Sequence, residues 1–294
     1  MNAILFPGQG SQKVGMGKTH FDENPIFKKL VLQANNQLGY ALSDIMFDGP
    51  AETLTQTRFT QPAIFVHSVA LFRTISEQPD MVAGHSLGEI SALEVSGVLS
   101  FETALELVAL RGKLMQEAGN NQPGTMAAVI GLEDATVDEI CKQATDEIQK
   151  PVVPANYNCP GQLVVSGDVD AVKKAVELAK EKGCRLAKML PVSGAFHSPL
   201  MKPAYDAFKE KLDLIDFSNP SCPIYSNFTA KPTTDPAEIK KNLLNQLVNP
   251  VRWTQTLINM EKDGTKRFTE VGPGKVLQGL VKRTLKNVNI DGVE

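Results

Sequence analysis

The sequence predicts an α/β protein, a parallel-sheet body interrupted by a small β-α-β-β-α-β unit, and three observations carry that expectation. Met81-Val82-Ala83 is an apolar run that enters Gly84-His85-Ser86-Leu87-Gly88 and leaves in a helical pattern at Ile90 and Leu93, a strand, sharp turn and helix in succession. Ala3 to Phe6 is a short buried strand that runs directly into a glycine-rich loop, Pro7 to Gln12. From 125 to 192 the periodicity changes and alternates two-residue and helical patterns in the order strand, helix, strand, strand, helix, strand. A chain of 294 residues buries a sizeable core, as one large domain or a large one plus a small one.

The first loop invites a phosphate-binding interpretation, which its spacing rejects. Gly17-Lys18-Thr19 imitates the end of a Walker A loop, but the glycine required five positions earlier is Gln12. Gly8-x-Gly10 is followed by Lys13 where a dinucleotide fingerprint needs its third glycine. What remains is a loop with open backbone amides, suited to an oxyanion. Residues 25–40 and 61–76 read as helices, the second opening at Gln61-Pro62 with proline in the first turn, and His67 on it reads as structural.

The elbow places Ser86 where flanking glycines allow a tight turn and the following helix aims its amino-terminal amides at the serine. Ser100 is an N-cap for a helix to about Ala118, with an apolar stripe of Ala104, Leu107, Val108, Leu114 and Met115. Arg111 falls inside that stripe. A cation on a buried face needs a partner or a route to solvent. Snorkelling, a structural ion pair and a guanidinium fork awaiting a carboxylate all satisfy the pattern.

In the interrupting unit, Met126 to Ile130 is a strand and Ala135 to Ala144 a helix. Val152 to Ala155 and Leu163 to Ser166 are strands around a turn-rich Asn156 to Gly161. Val169 to Lys182 is an amphipathic helix and Cys184 to Leu190 a closing strand. The order is that of a ferredoxin-like unit, so the expected division is a body of 1–124 and 193–294 with 125–192 inserted. A cleft between the two is a natural ligand site.

Composition bounds the function. Apolar residues make up 42% and charged residues 21%, ordinary for a globular protein, and the net charge of −3 gives no case for nucleic-acid or membrane binding. The balance is uneven, since 251–290 carries eight Lys/Arg against three Asp/Glu. Cys141, Cys159, Cys184 and Cys222 form no C-x-x-C and have no companion histidine spacing, so neither metal nor disulfide framework is expected. The amino terminus lacks the basic and long apolar segments of a signal peptide, and a cytoplasmic location is expected.

A serine nucleophile needs a base. Of His20, His67, His85 and His197, His85 adjoins the serine but its side chain is expected to point away, whereas His197 follows the inserted unit in Pro191 to Pro199 and so falls at the cleft. No Asp or Glu after Ser86 announces itself as a third member, which favours a dyad whose histidine is oriented by a carbonyl or amide.

Six motifs then occur in the order seen in malonyl-CoA:acyl-carrier-protein transacylases, and the chain resembles that family from residue 4 to about 284. They are Phe6-Pro7-Gly8-Gln9-Gly10-Ser11-Gln12, Gly84-His85-Ser86-Leu87-Gly88-Glu89, Arg111-Gly112, Ala195-Phe196-His197, Gln246-Leu247-x-Asn249-Pro250-Val251 and Glu270-Val271-Gly272-Pro273-Gly274. The resemblance implies an α/β-hydrolase-like large domain. It implies Ser86 as the nucleophile that accepts malonyl, His197 as its base, and the amides of Gln9 and Leu87 as the oxyanion hole. Arg111 would grip the free carboxylate, and the backbone carbonyl of Gln246 would hold His197. Phe196 resembles the residue of malonyl-selective members and would fill the space a branching methyl needs; Asn158 is counted with it among the substrate-binding positions. Ser193-Gly194-Ala195 has no assigned role. The implied partners are malonyl-CoA and acyl carrier protein, met by a monomer with no cofactor and no metal. The basic residues Lys266, Arg267, Lys282, Arg283 and Lys286 would suit an acidic carrier. The alternative is a serine esterase or thioesterase of α/β-hydrolase type, which expects an acid between serine and histidine and a histidine near the carboxyl end; here 97 residues follow His197.

Overall fold

A computed structural model describes residues 1–192 and 194–294. Strand β1 (Asn2–Phe6) is buried from Ala3 onward, as a strand covered on both faces must be. After the glycine-rich loop come α1 (Lys18–Glu23) and α2 (Pro25–Leu38). Asn24 caps α2 by accepting from the N–H groups of Ile26 and Phe27, and Gly39, at φ 74°, ends it. Short helices α3 (Leu42–Phe47) and α4 (Ala51–Leu54) lead to α5 (Thr57–Phe72).

Helix α5 starts four residues before the Gln61-Pro62 signal and stops at Phe72 rather than near 76, so Pro62 lies within it. Every residue from Thr60 to Phe72 is buried, and tertiary packing of this kind outweighs local start signals. The chain continues with β2 (Met81–Gly84), α6 (Gly88–Val95) and α7 (Phe101–Asn121). Ser100 caps α7, its Oγ accepting from the N–H of Thr103 at 3.2 Å.

The interrupting segment folds as β3 (Gly124–Ile130), α8 (Asp134–Ile148), β4 (Val152–Cys159), β5 (Gln162–Asp168), α9 (Val169–Glu181) and β6 (Leu186–Met189). Its strands form a separate antiparallel sheet in the order β4-β5-β3-β6. Val137, Ile140, Val172 and Val176 of its helices pack with Val129, Leu163 and Val165 in a core of their own. The stretch from Asn156 to Cys159 is strand, not turn as its composition predicts, and the turn contracts to Pro160-Gly161. Pairing supplies the reason. Tyr157 faces Leu163 on β5, the N–H of Tyr157 donates to Val251 O at 2.9 Å, and the N–H of Val251 donates to Ala155 O at 2.8 Å. The same bonds stitch this sheet to the body.

The remaining elements are α10 (Lys202–Asp213), β7 (Ile224–Tyr225), β8 (Pro232–Thr233), α11 (Pro236–Asn245), α12 (Trp253–Lys262), β9 (Arg267–Val271), α13 (Val276–Thr284) and β10 (Asn289–Val293). The large sheet runs β10-β9-β1-β2-β7-β8, parallel except for the last pair. One face of it packs Ile4, Phe6 and Val82 against Phe65, Val66 and Leu93; the other packs Leu5 and Ala83 against Trp253, Leu257 and Phe268. Each such large side chain contributes roughly 1.5–3 kcal/mol by leaving water. The register sets Phe6 opposite Gly84, so the loops after β1 and β2 emerge side by side at the carboxyl edge of the sheet. Open parallel sheets bind ligands at that edge.

Candidate active site

Ser86 occupies the turn between β2 and α6 with φ 54°, a conformation that costs a non-glycine residue about 1–3 kcal/mol unless its surroundings impose it. The surroundings do so. Asn227, fully buried, accepts the Ser86 N–H on Oδ1 at 2.6 Å and donates from Nδ2 to Gly84 O at 2.7 Å, bridging both arms of the turn. The two glycines serve close approach: a Cβ on Gly84 would stand 1.9 Å from the carbonyl of Gly88, and one on Gly88 would stand 2.2 Å from Phe6 O. The backbone N–H of His85 donates to that same Phe6 oxygen at 2.9 Å, tying the elbow to β1.

His197 reaches the elbow from the segment that returns from the second sheet, itself at φ 57°. Its Nε2 lies 2.8 Å from Ser86 Oγ and its Nδ1 lies 2.8 Å from the backbone oxygen of Gln246. A carbonyl only accepts, so Nδ1 carries the hydrogen and Nε2 is left to take the serine proton. Burial, aided by the charge of Arg111, pushes His197 down to about 3, and the Gln246 carbonyl opposes that only in part. The imidazole is therefore neutral at neutral pH. Of Ser193-Gly194-Ala195 just before it, Ser193 lies outside the described residues and Ala195 is buried.

Arg111 projects from α7 with no exposed surface. Its Nη1 donates to Gln61 Oε1 at 2.7 Å, and its Nη2 donates to Gln246 Oε1 at 2.7 Å and to Ser86 Oγ at 3.1 Å. Nε is buried without a partner among the described residues. All three acceptors are neutral, so the guanidinium is hydrogen-bonded without a direct carboxylate. Burial lowers it to about 10, with Glu89 pulling the other way, and it stays charged at neutral pH.

Glu89 is the nearby anion, one side chain removed. Its Oε2 accepts from the Asn227 N–H at 2.9 Å and from Gln246 Nε2 at 2.8 Å, and Gln246 Nε2 also donates to Ser86 O at 3.0 Å. Burial raises the carboxyl to about 7 against those hydrogen bonds and the Arg111 charge.

A cavity of about 170 Å³ opens over these groups, with Gln9, Ser86, Leu87, Arg111, Phe196 and His197 on its wall. That suits a small acyl group rather than a drug-sized ligand, whose sites run about 300–1,000 Å³. Gln9 comes from the loop after β1 and Leu87 is the N-cap of α6; neither backbone N–H donates to a protein acceptor among the described residues. Asn158 also lines the cavity, and its Oδ1 lies 2.9 Å from His85 Nε2. His85 packs edge-on against Trp253, occupied away from the serine hydroxyl.

The basic residues lie elsewhere. Arg267 opens β9 opposite Asn2 and pairs with Glu77 at 3.0 Å and Asp291 at 2.7 Å, at the amino edge of the sheet. Lys266 precedes it, its N–H donating to Met1 O. Helix α13 runs back from the carboxyl edge and carries Lys282 and Arg283 in its last turn, with Lys286 just beyond. Arg267, Lys282 and Lys286 share one groove there, and none of the five basic residues lines the cavity over Ser86.

Three members of the site escaped the sequence: Gln61, Glu89 and Asn227. Glu89 had a signal, a carboxylate in an otherwise apolar helix start. Asn227 and Gln61 had none, since each acts through partners 50 or more positions away.

Residues 4–293 match the family model described as the acyl transferase domain. The chain is 44% identical to malonyl CoA-acyl carrier protein transacylase of Bacillus subtilis, over 99% of this chain and 94% of the relative. It is 45% identical to the protein of that name from Escherichia coli, over 96% and 92%. Among solved structures, an acyl carrier protein S-malonyltransferase from Vibrio cholerae superposes with a TM-score of 0.95 at 44% identity, covering 100% of this chain and 96% of the other. A malonyl-transacylase in complex with a type II PKS acyl-carrier protein superposes with a TM-score of 0.95 at 40% identity, covering 99% and 95%.

Proposed function

This chain belongs to the acyl transferase domain family and, within it, to the malonyl-CoA:acyl-carrier-protein transacylases, and from that premise we propose that it moves malonyl from malonyl-CoA to the pantetheine thiol of an acyl carrier protein through an ester on Ser86. The observation that carries the proposal is the buried Arg111, charged, its Nε without a partner among the described residues, and in hydrogen-bond contact with the nucleophile. A simple esterase has no use for such a cation, and the neutral carbonyl behind His197 is not the acid that an α/β-hydrolase esterase places there.

In the first half-reaction Ser86 Oγ attacks the thioester carbon while His197 Nε2 takes its proton. The amides of Gln9 and Leu87 hold the oxyanion, and the amino end of α6 adds its dipole. The carbon–sulfur bond breaks, His197 returns the proton to the departing sulfur, and CoA leaves as a thiol. In the second half-reaction the carrier thiol gives its proton to His197, attacks the malonyl ester, and Ser86 recovers the proton. Arg111 holds the free carboxylate throughout, as a guanidinium fork matches two carboxylate oxygens. Gln246 keeps His197 oriented, Asn158 and Phe196 border the acyl group, and Phe196 crowds a branching methyl. Body 1–124 and 193–294 supplies the chemistry, with 125–192 closing the cleft. Lys266, Arg267, Lys282, Arg283 and Lys286, remote from the cavity, act on an acidic carrier as a steering field rather than as the surface that presents the thiol.

The test is transfer of malonyl from malonyl-CoA to a pantetheinylated carrier protein, followed by the mass of the carrier. Wild type transfers; His197→Ala is slower by about 10²–10⁴-fold, the usual contribution of a positioned acid–base group. A wild type that hydrolyses malonyl-CoA without loading the carrier would overturn the proposal.

A further inference from the structure

The side-chain amide of Gln246 lies between two groups of opposite charge. Its oxygen is 2.7 Å from Arg111 Nη2, and its nitrogen is 2.8 Å from Glu89 Oε2. An isolated amide is free to sit either way round, and with the orientation reversed it would turn N–H toward the guanidinium, donor against donor. Glu89 removes that choice together with the Ser86 backbone oxygen, 3.0 Å from the same nitrogen: Glu89 Oε2 already receives the Asn227 N–H, so it accepts in the carboxylate and equally in the neutral acid with its proton on Oε1. Glu89 is itself fixed, for the same Oε2 receives the backbone N–H of Asn227 at 2.9 Å, and the carboxyl is 2% exposed. The order Glu89, Gln246, Arg111 is thus a directional chain whose last link is the cation that borders the cavity.

We propose that Glu89 is a positioning residue for the anion clamp: its Oε2 fixes the amide of Gln246, which holds the Arg111 fork aimed at the substrate carboxylate. This rests on the function proposed above. Glu89 touches neither the acyl group nor the reacting atoms, and the Gln246 carbonyl that orients His197 belongs to the backbone. The consequence is selective. Loss of the acceptor at position 89 weakens capture of an acyl group that carries a carboxylate and spares one that does not.

The experiment compares single-turnover acylation of Ser86 by malonyl-CoA and by acetyl-CoA, read by intact mass, in wild type, Glu89→Gln, Glu89→Ala and Gln246→Leu, each also made in the Arg111→Ala background. Glutamine keeps an acceptor oxygen, so Glu89→Gln should hold the malonyl-to-acetyl rate ratio within about threefold of wild type. Glu89→Ala and Gln246→Leu should lower that ratio by about tenfold or more, beyond any loss common to both acyl groups, and neither should lower it further once Arg111 is alanine. Equal losses for both acyl groups, or effects that persist undiminished in Arg111→Ala, would overturn the inference. So would a Glu89→Gln ratio as low as that of Glu89→Ala, since the acceptor would then not be what matters. Should Glu89→Ala fail to fold, Gln246→Leu in the two backgrounds decides alone. A wild type that forms no malonyl ester removes the function itself; a malonylated wild type with unaltered selectivity in the variants removes only the role of Glu89.

Discussion

Nη2 of Arg111 donates to Oγ of Ser86 at 3.1 Å, so a fully buried cation and the elbow nucleophile share a hydrogen bond. The geometry has a chemical meaning. In a malonyl thioester the free carboxylate carbon is two bonds from the carbon under attack, so a cation that holds the carboxylate must stand within a few ångströms of the nucleophile. A guanidinium kept charged at neutral pH, whose direct hydrogen-bond partners among the described residues are all neutral, is a buried charge that an incoming carboxylate pairs directly.

The elbow depends on close backbone approach at both glycines. Gly84→Ala and Gly88→Ala each drive a methyl group into backbone, at 1.9 Å and 2.2 Å, where no rotamer offers escape. Each substitution should destabilise the fold by more than about 3 kcal/mol. Urea unfolding measures this, and a shift below about 1 kcal/mol for either would mean that the turn relaxes.

Asn227 holds the strained serine through two hydrogen bonds. Asn227→Ala leaves the Ser86 N–H and the Gly84 carbonyl without partners, a loss of about 1–3 kcal/mol of stability for each buried group left unsatisfied. Acylation of Ser86 should fall for malonyl and acetyl alike, because the nucleophile itself is displaced. Selective loss of malonyl alone would contradict this division of labour between Asn227 and Glu89.

Stability should depend on pH through two opposed groups. His67 and His197, both held down to about 3 by burial, bind protons in the unfolded chain below 6.5 but not in the fold. Their contribution is complete above about pH 6.5 and drains away as pH falls toward 3. Glu89 runs the other way: raised from 4.5 to about 7, it favours the fold at low pH and loses that contribution as pH rises through 7. His67 lies outside the site, so His67→Leu isolates the acid limb. Its drop in Tm between pH 7 and pH 5 should be smaller than that of wild type; an equal drop would exclude His67 as a source.

The legible parts of the molecule were those whose signal is local. The elbow is a strand, two glycines and a helix within ten residues, and Arg111 was conspicuous as a cation inside an apolar stripe. His197 was reachable by elimination among four histidines and through the resemblance. The two element errors share a cause. Asn156 and Asn158 have turn composition, yet they stand in β4 because β5 and Val251 supply partners from distant sequence. Pro62 has the signature of a helix start, yet it lies inside α5, within the continuously buried run from Thr60 to Phe72 that tertiary packing holds helical. The chain Glu89, Gln246, Arg111 spans 157 positions between its first two members, and no spacing rule reaches that far.

Intact-protein mass spectrometry after mixing with malonyl-CoA, without carrier protein, tests the central claim most directly. Wild type should gain one malonyl group, Ser86→Ala none, and Arg111→Ala should be acylated by malonyl at least about 10²-fold more slowly while still accepting acetyl. A malonyl adduct that persists in Ser86→Ala, or forms at an undiminished rate in Arg111→Ala, would contradict the acyl-serine and the carboxylate clamp respectively.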